Sequence, residues 1–169
     1  LGSDCDDGGR EKAPAAICRK VSALADRSEI EVWGDGKQTR SFTVIDDCVE
    51  GVLRLTFSDC KVPINLGSTE MVDMIEFAKI AMSFEDKNLP IKHIEGPMGV
   101  RGRNSNNVLI LKELGWEPTM SIADGLRKTY FWIKGEIEKE ADAGKNVADY
   151  SVSDIVKQVD DSLMQLGQE

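Results

Sequence analysis

The sequence predicts a mixed α/β fold, and three observations carry that expectation. Short runs rich in β-branched and aromatic residues alternate with longer segments whose apolar residues recur every three or four positions. Gly, Pro, Asn and Asp fall between these segments, where turns are needed. The 169 residues are 41% apolar and 30% charged, the composition of one globular unit with a core of its own.

The elements follow in order. Pro14, with the helix formers Ala15, Ala16, Arg19 and Lys20 behind it, predicts a first helix over about 11–24. Ile30, Val32 and Trp33 form a β-prone run closed by Gly34-Asp35-Gly36, and 39–45 is a second. Asp46 is the expected N-cap of a helix to about Phe57, with Ile45, Val49, Val52 and Leu53 as its core-facing stripe. Pro63-Ile64-Asn65-Leu66-Gly67 reads as a short strand. Met74, Phe77, Ala78 and Ala81 mark a third helix that must stop before Asn88-Leu89-Pro90, and 91–94 is the next strand. Residues 96–103 are expected to be loop. Ser105 is the expected cap of a helix to Leu114, with Gly115 as its stop. Ser121 opens the longest helix, whose apolar positions Ile122, Leu126, Tyr130, Ile133 and Ile137 lie four, four, three and four apart. After a linker-like stretch at 142–149, Ile155, Val156, Val159 and Leu163 suggest a terminal amphipathic helix.

Thirty acidic against 21 basic residues give a formal charge of −9, which excludes a protein built chiefly to cover nucleic-acid phosphates. The longest apolar runs, such as Val108-Leu109-Ile110-Leu111, are far short of the roughly 20 residues that a bilayer-crossing helix needs. Cys5, Cys18, Cys48 and Cys60 form no Cys-x-x-Cys pair and His93 is the lone histidine, so free thiols are expected and no zinc site is. Cys18 and Cys48 read as small core residues, and Trp116, Tyr130 and Trp132 as packing residues. The cations available to an anionic ligand are Arg10, Lys12, Arg19, Lys20, Arg40, Arg101 and Arg103; the same residues also suit an ordinary solvated surface.

The run Trp33-Gly34-Asp35-Gly36-Lys37-Gln38-Thr39-Arg40-Ser41-Phe42-Thr43-Val44-Ile45-Asp46-Asp47 is more specific. With Asn65-Leu66-Gly67 and Gly115-Trp116-Glu117-Pro118 downstream, it resembles the extended short-chain dehydrogenase/reductase enzymes that act on nucleotide sugars. Gly8-Gly9-Arg10-Glu11-Lys12-Ala13-Pro14, Cys48-Val49-Glu50-Gly51-Val52-Leu53-Arg54-Leu55, Gly99-Val100-Arg101-Gly102-Arg103-Asn104-Ser105 and Thr129-Tyr130-Phe131-Trp132-Ile133-Lys134 narrow the likeness to the plant GDP-mannose 3,5-epimerase family. The resemblance covers only the carboxyl-terminal part of that family, from Gly8 to about Lys139 and more loosely to Ser153.

The resemblance implies an α/β substrate-binding part of an extended short-chain dehydrogenase/reductase that lacks most of the dinucleotide-binding domain. It implies an atypical leader at 1–9, a nucleotide-sugar-binding region at 10–141 and a tail at 142–169. In the family, NAD takes a hydride from C4 of the hexose, which acidifies C3 and C5 so that protons can be exchanged there. GDP-mannose thereby becomes GDP-L-galactose, a precursor for ascorbate and cell walls. Carried over by position, Lys12 stands for the acid/base lysine, and Glu11, Ala13 and Lys20 for substrate contacts. Gln38, Thr39 and Arg40 stand for nucleotide-sugar contacts, Arg103 for a diphosphate ligand and Ser153 for a late substrate-binding serine. Arg forks and a Gln–Thr pair suit a diphosphate and sugar hydroxyls. The Gly-rich dinucleotide loop and the Tyr-x-x-x-Lys pair have no counterpart in the sequence, so no cofactor-binding residue is assigned and NAD binding by this chain alone is not expected. Partners implied are GDP-mannose or a related nucleotide sugar, with a homodimer or a full-length epimerase as protein partner and the cytoplasm as location. A non-catalytic module bound to such an enzyme, or a piece of another nucleotide-sugar epimerase or dehydratase, is the alternative.

Overall fold

A computed structural model describes residues 12–23, 29–96 and 100–144. Glu11, Ser153, Cys5, the leader and the suggested terminal helix lie outside the described residues. The element order is α1 (Ala13–Ala23), β1 (Ile30–Trp33), β2 (Thr39–Arg40), α2 (Ile45–Thr56), β3 (Val72–Asp73), α3 (Met74–Ser83), β4 (Ile91–Ile94), β5 (Gly102–Arg103), α4 (Val108–Leu114) and α5 (Ile122–Asp142). This is the mixed α/β class that the alternation predicts.

The described residues divide into two compact units, one holding those up to Ile30, Ala81–Pro90 and 126–144, the other Glu31–Ile80 and the described part of Ile91–Gly125. In the first unit, the apolar stripe of α5 is buried at Leu126, Tyr130, Ile133 and Ile137, as are Ile17, Cys18 and Val21 of α1. Glu85 ties this unit together: it accepts hydrogen bonds from the Tyr130 hydroxyl and from Lys134 Nζ of α5. Lys87, 3.4 Å from the same carboxylate, donates to the carbonyl of Val21 at 2.7 Å, which closes off the end of α1. Burial pushes the Glu85 carboxyl up, but the hydrogen bonds from Lys134 and Tyr130 and the charge of Lys87 outweigh it and hold the group at about 2. Burial first, and Glu85 second, push the Tyr130 phenol upward, so it remains a neutral donor. Phe84 packs edge-on against Tyr130, with Arg127 stacked over Phe84 and Phe131.

In the second unit, Val32, Val72, Met74, Phe77, Ala78 and Ile110 are buried. β1 and β4 form a two-stranded sheet, bonded from Ile30 N–H to the Pro90 carbonyl, both residues of the first unit, and from Gly34 N–H to the Ile94 carbonyl in the second. A step of four residues on both strands makes the pair parallel. A three-stranded sheet has the order β3-β2-β5, with β2 antiparallel to β3 and parallel to β5.

Five local expectations about strands, loops and caps differ from the structure. The second β-prone run is a strand only at Thr39–Arg40, because each of its neighbours offers just two residues to pair with. Residues 63–67 form no strand, since no described strand lies alongside them, whereas Val72–Asp73 does. Residues 102–103, expected in a loop, form β5. Val44, not Asp46, precedes α2, and Asn107, not Ser105, precedes α4; the Ser105 hydroxyl instead donates to Asn107 Oδ1 at 2.7 Å. Ser121 does cap α5, accepting from Asp124 N–H at 3.1 Å while its hydroxyl donates to the Asp124 carboxylate at 2.6 Å. Gly115 ends α4 in the left-handed conformation, with φ of 59°.

The stripe on α2 is the largest departure. Gly51 is the buried residue of this helix, packed against Leu66 and Trp116, while Ile45, Val49, Val52 and Leu53 are 48–68% exposed. Asp47 accepts the N–H groups of Thr119 and Met120 at 2.9 and 2.8 Å and so fixes the approach to α5.

Two outcomes follow from this packing. Gly to Ala in a helix ordinarily stabilises by about 1 kcal/mol. At Gly51 a Cβ would lie 2.7 Å from Trp116 Cζ3 and 3.0 Å from Leu66 Cγ, so Gly51→Ala should instead cost about 1–3 kcal/mol in urea unfolding. For Glu85, the unfolded chain takes up its proton near the ordinary 4.5 and the folded chain only near 2. Stability should therefore be full above pH 4.5 and drain away as pH falls through that window; Glu85→Gln should flatten the slope in acid unfolding curves.

Candidate functional site

The positions assigned to substrate contact divide between the two units. In the first, Lys12 directly precedes α1, and its carbonyl accepts the N–H of Ala16 at 3.0 Å, which starts the helix. Its side chain is exposed and makes no hydrogen bond or ion pair with described residues. Ala13 is exposed and Lys20 half-buried; seven residues apart, they share one face of α1 two turns from each other. This face carries small and basic residues, while Ile17, Cys18 and Val21 face inward. Burial pushes the Cys18 thiol up to about 12, so it is a packing residue and not a nucleophile.

In the second unit, Thr39, Arg40 and Arg103 lie on the three-stranded sheet, with Gln38 immediately before β2. The parallel register sets Thr39 opposite Gly102 and Arg40 opposite Arg103. The backbone supports it: Thr39 N–H donates to the Arg101 carbonyl at 2.8 Å and Ser41 N–H to the Arg103 carbonyl at 3.4 Å. Gly102 is required at its position, because a Cβ would lie 2.8 Å from Thr39 Oγ1. Arg40 is half-buried and serves the fold as much as any ligand, since its Nη1 donates to the carbonyls of Thr39 and Val100, each at 2.7 Å. Gln38 donates through Nε2 to the Trp33 carbonyl at 3.2 Å, while its Oε1 is buried with no donor among the described residues. An orphaned acceptor of that kind has a use for a hydroxyl.

Arg101, between Arg40's acceptor Val100 and β5, is not available in the same way. It donates through Nη1 to both carboxylate oxygens of Asp35, at 3.0 and 2.7 Å. The hydrogen bond from Arg101, and then that from the Lys37 N–H, hold the Asp35 carboxyl below its ordinary range. Arg103 is exposed, and among the described residues its side chain has no acceptor. The Asp35–Arg101 pairing was not legible beforehand, though both partners stand in Gly-bounded turns that give their side chains freedom to meet. His93 Nδ1 lies 2.9 Å from the Gly34 carbonyl and braces the same turn.

The Gly34-Asp35-Gly36 turn does not fit a dinucleotide cofactor. Both glycines have positive φ, of 65° and 68°, but the space above Gly36 is filled by Ile75 and Val32, and the turn leads into β2 rather than into a helix N-terminus. Among the described residues, no group of three or more His, Cys, Asp or Glu could hold a metal ion, and no helix is long and apolar enough to cross a membrane.

Comparison with known proteins agrees with the local likenesses. Residues 5–67 match the model of the NAD dependent epimerase/dehydratase family. Over 149 residues, 88% of its length, the chain is 64% identical to GDP-mannose 3,5-epimerase 1 of Oryza sativa subsp. japonica and 62% identical to GDP-mannose 3,5-epimerase of Arabidopsis thaliana. It spans 39% of the length of each of these curated relatives. Among solved structures, the UDP-glucose 4-epimerase of Thermotoga maritima matches with a TM-score of 0.66 at 22% identity, covering 73% of this chain and 40% of that one, which is a likeness of fold.

The two bonds from Arg40 Nη1 stitch residue 100 to β2. Losing them in Arg40→Ala should raise amide hydrogen exchange at Thr39 and Ser41 roughly tenfold, with exchange in β1 and β4 unchanged.

Proposed function

We propose that the chain belongs to the NAD dependent epimerase/dehydratase family and supplies the nucleotide-sugar-binding portion of a GDP-mannose 3,5-epimerase-like enzyme. The observation that carries this reading is the β2–β5 register, which sets Thr39 and Arg40 beside Gly102 and Arg103, with Gln38 just before β2. Arg103, whose guanidinium has no acceptor among the described residues, is the ligand of the diphosphate. Arg40 adds positive charge beside it while bracing Val100. Gln38 Oε1 and Thr39 Oγ1 take the hydroxyls of the nucleotide sugar.

Lys12 is assigned proton transfer at the sugar ring; its exposed ammonium at the start of α1 has no competing acceptor among the described residues. Glu11, Ala13 and Lys20 are assigned to the sugar, and Ser153 to a late contact. NAD belongs to the family, but no turn among the described residues fits it, so no hydride step is assigned to these residues. The cytoplasm, where nucleotide sugars are soluble metabolites, is the compartment that goes with this reading. The chain alone is accordingly a binding portion without turnover.

Isothermal titration with GDP-mannose tests this. Saturable binding is expected, independent of added NAD and at least about tenfold weaker in Arg103→Ala. No heat from a folded chain, or an Arg103→Ala variant that binds as tightly, would sink the reading.

A further inference from the structure

Three arginines leave the small sheet on one face, and a carboxylate is held against one of them. Thr39 and Gly102 share a face, since a Cβ on Gly102 would lie 2.8 Å from Thr39 Oγ1. Arg40 and Arg103, the next pair in the register, therefore leave on the other. The ladder reaches back to residue 101, whose carbonyl accepts the Thr39 N–H, so Arg101, two residues before Arg103, leaves with them. Arg101 would be a third cation for an anionic ligand but for Asp35, both of whose carboxylate oxygens it binds through Nη1, at 3.0 and 2.7 Å. The turn keeps that carboxylate in place, because Oδ1 also accepts the Lys37 N–H at 3.0 Å. Of the charges beside Asp35, that of Arg101 acts on it more than that of Lys37.

Arg40 and Arg103 thus keep an uncancelled charge, and Arg101 does not. The diphosphate bridge of a nucleotide sugar carries two negative charges, one on each phosphate. A free nucleoside diphosphate ends instead in a monoester, which carries roughly 1.5 to 2 charges by itself at pH 7. We infer that Asp35 is a specificity-determining residue: by cancelling Arg101 it fits the arginine face to the diphosphate bridge of a nucleotide sugar and disfavours free nucleoside diphosphates, which are more highly charged. Asp35 acts through its charge and touches no ligand, and a charge set against the wrong ligand discriminates as effectively as an added contact to the right one. The inference rests on the nucleotide-sugar reading, from which it takes the position of the diphosphate.

The test is isothermal titration of the parent chain and three variants with GDP-mannose and with GDP, at neutral pH and low ionic strength and without divalent cations. Asp35→Asn keeps an acceptor for the Lys37 N–H and removes the charge. It should tighten GDP about fivefold and GDP-mannose no more than about twofold, since the effect grows with the charge of the ligand. Arg101→Ala uncovers the carboxylate and should weaken both ligands about threefold. Adding Asp35→Asn to Arg101→Ala should restore the parent's affinity for GDP-mannose, a rescue that is impossible where Arg101 itself binds the ligand. The pair is exposed, so all three variants should unfold at the temperature of the parent. An unchanged preference between the two ligands in Asp35→Asn, or a loss in Arg101→Ala that Asp35→Asn does not repair, would overturn the inference and leave the nucleotide-sugar reading standing. A parent chain that binds neither ligand overturns that reading and the inference with it.

Discussion

The second unit hangs on two residues of extended backbone. Thr39 and Arg40 form the middle strand of a sheet in which no strand exceeds two residues, so the ladder alone gives few bonds on either side. Arg40 makes up the deficit by donating to the carbonyls of Thr39 and Val100. A charged donor to a carbonyl is stronger than a neutral ladder bond, and this one joins chain positions 60 apart. Gly102 allows the close approach, and the Asp35–Arg101 pair fastens the preceding turn to the same segment. Because that pair is exposed, it sets direction more than it adds stability.

Helix α2 shows how one amphipathic pattern can serve two ends. A helix with apolar residues on one side is ordinarily read as turning that side inward. Here the inward contact is made by Gly51, whose lack of a side chain lets Leu66 and Trp116 approach the backbone, with Arg54 stacked over the Trp116 ring. The carboxylate of Asp47 adds a polar anchor at the N-terminal turn by holding two amides ahead of α5. Those contacts fix the helix without using its stripe.

Long-period features were legible in the sequence and short pairings were not. The five buried large side chains of α5, its Ser121 cap and the Gly115 stop of α4 all follow from local rules, since a helix satisfies its own backbone. Strands cannot do so. Residues 63–67 have the composition of a strand but no described neighbour to pair with, while Val72–Asp73, with no comparable signal, is a strand because Thr39–Arg40 lies beside it. The cap at Ser105 failed for a related reason: Asn107, a buried polar residue, is wanted at its position to donate to the Gly67 carbonyl and to Glu117, and the Ser105 hydroxyl serves it. Of the assigned site residues, Gln38, Thr39, Arg40 and Arg103 were nameable only through resemblance, because the residues that the sheet pairs lie 63 positions apart.

That sheet also sorts three arginines that the sequence presents as equals. Arg101 is paired with a carboxylate, Arg40 spends a nitrogen on two carbonyls, and Arg103 has no acceptor among the described residues. An incoming dianion would have to break an ion pair to recruit Arg101 and loosen the sheet to recruit Arg40 fully, whereas Arg103 gives up only water. The cost of binding is therefore lowest at Arg103, with Arg40 contributing its charge from a position already fixed. On the proposed reading, removing Arg103 subtracts a ligand, and removing Arg40 subtracts a ligand and the strap that places Arg103. The two losses are distinguishable because the first weakens binding in an intact sheet and the second also opens the amides of Thr39 and Ser41 to exchange.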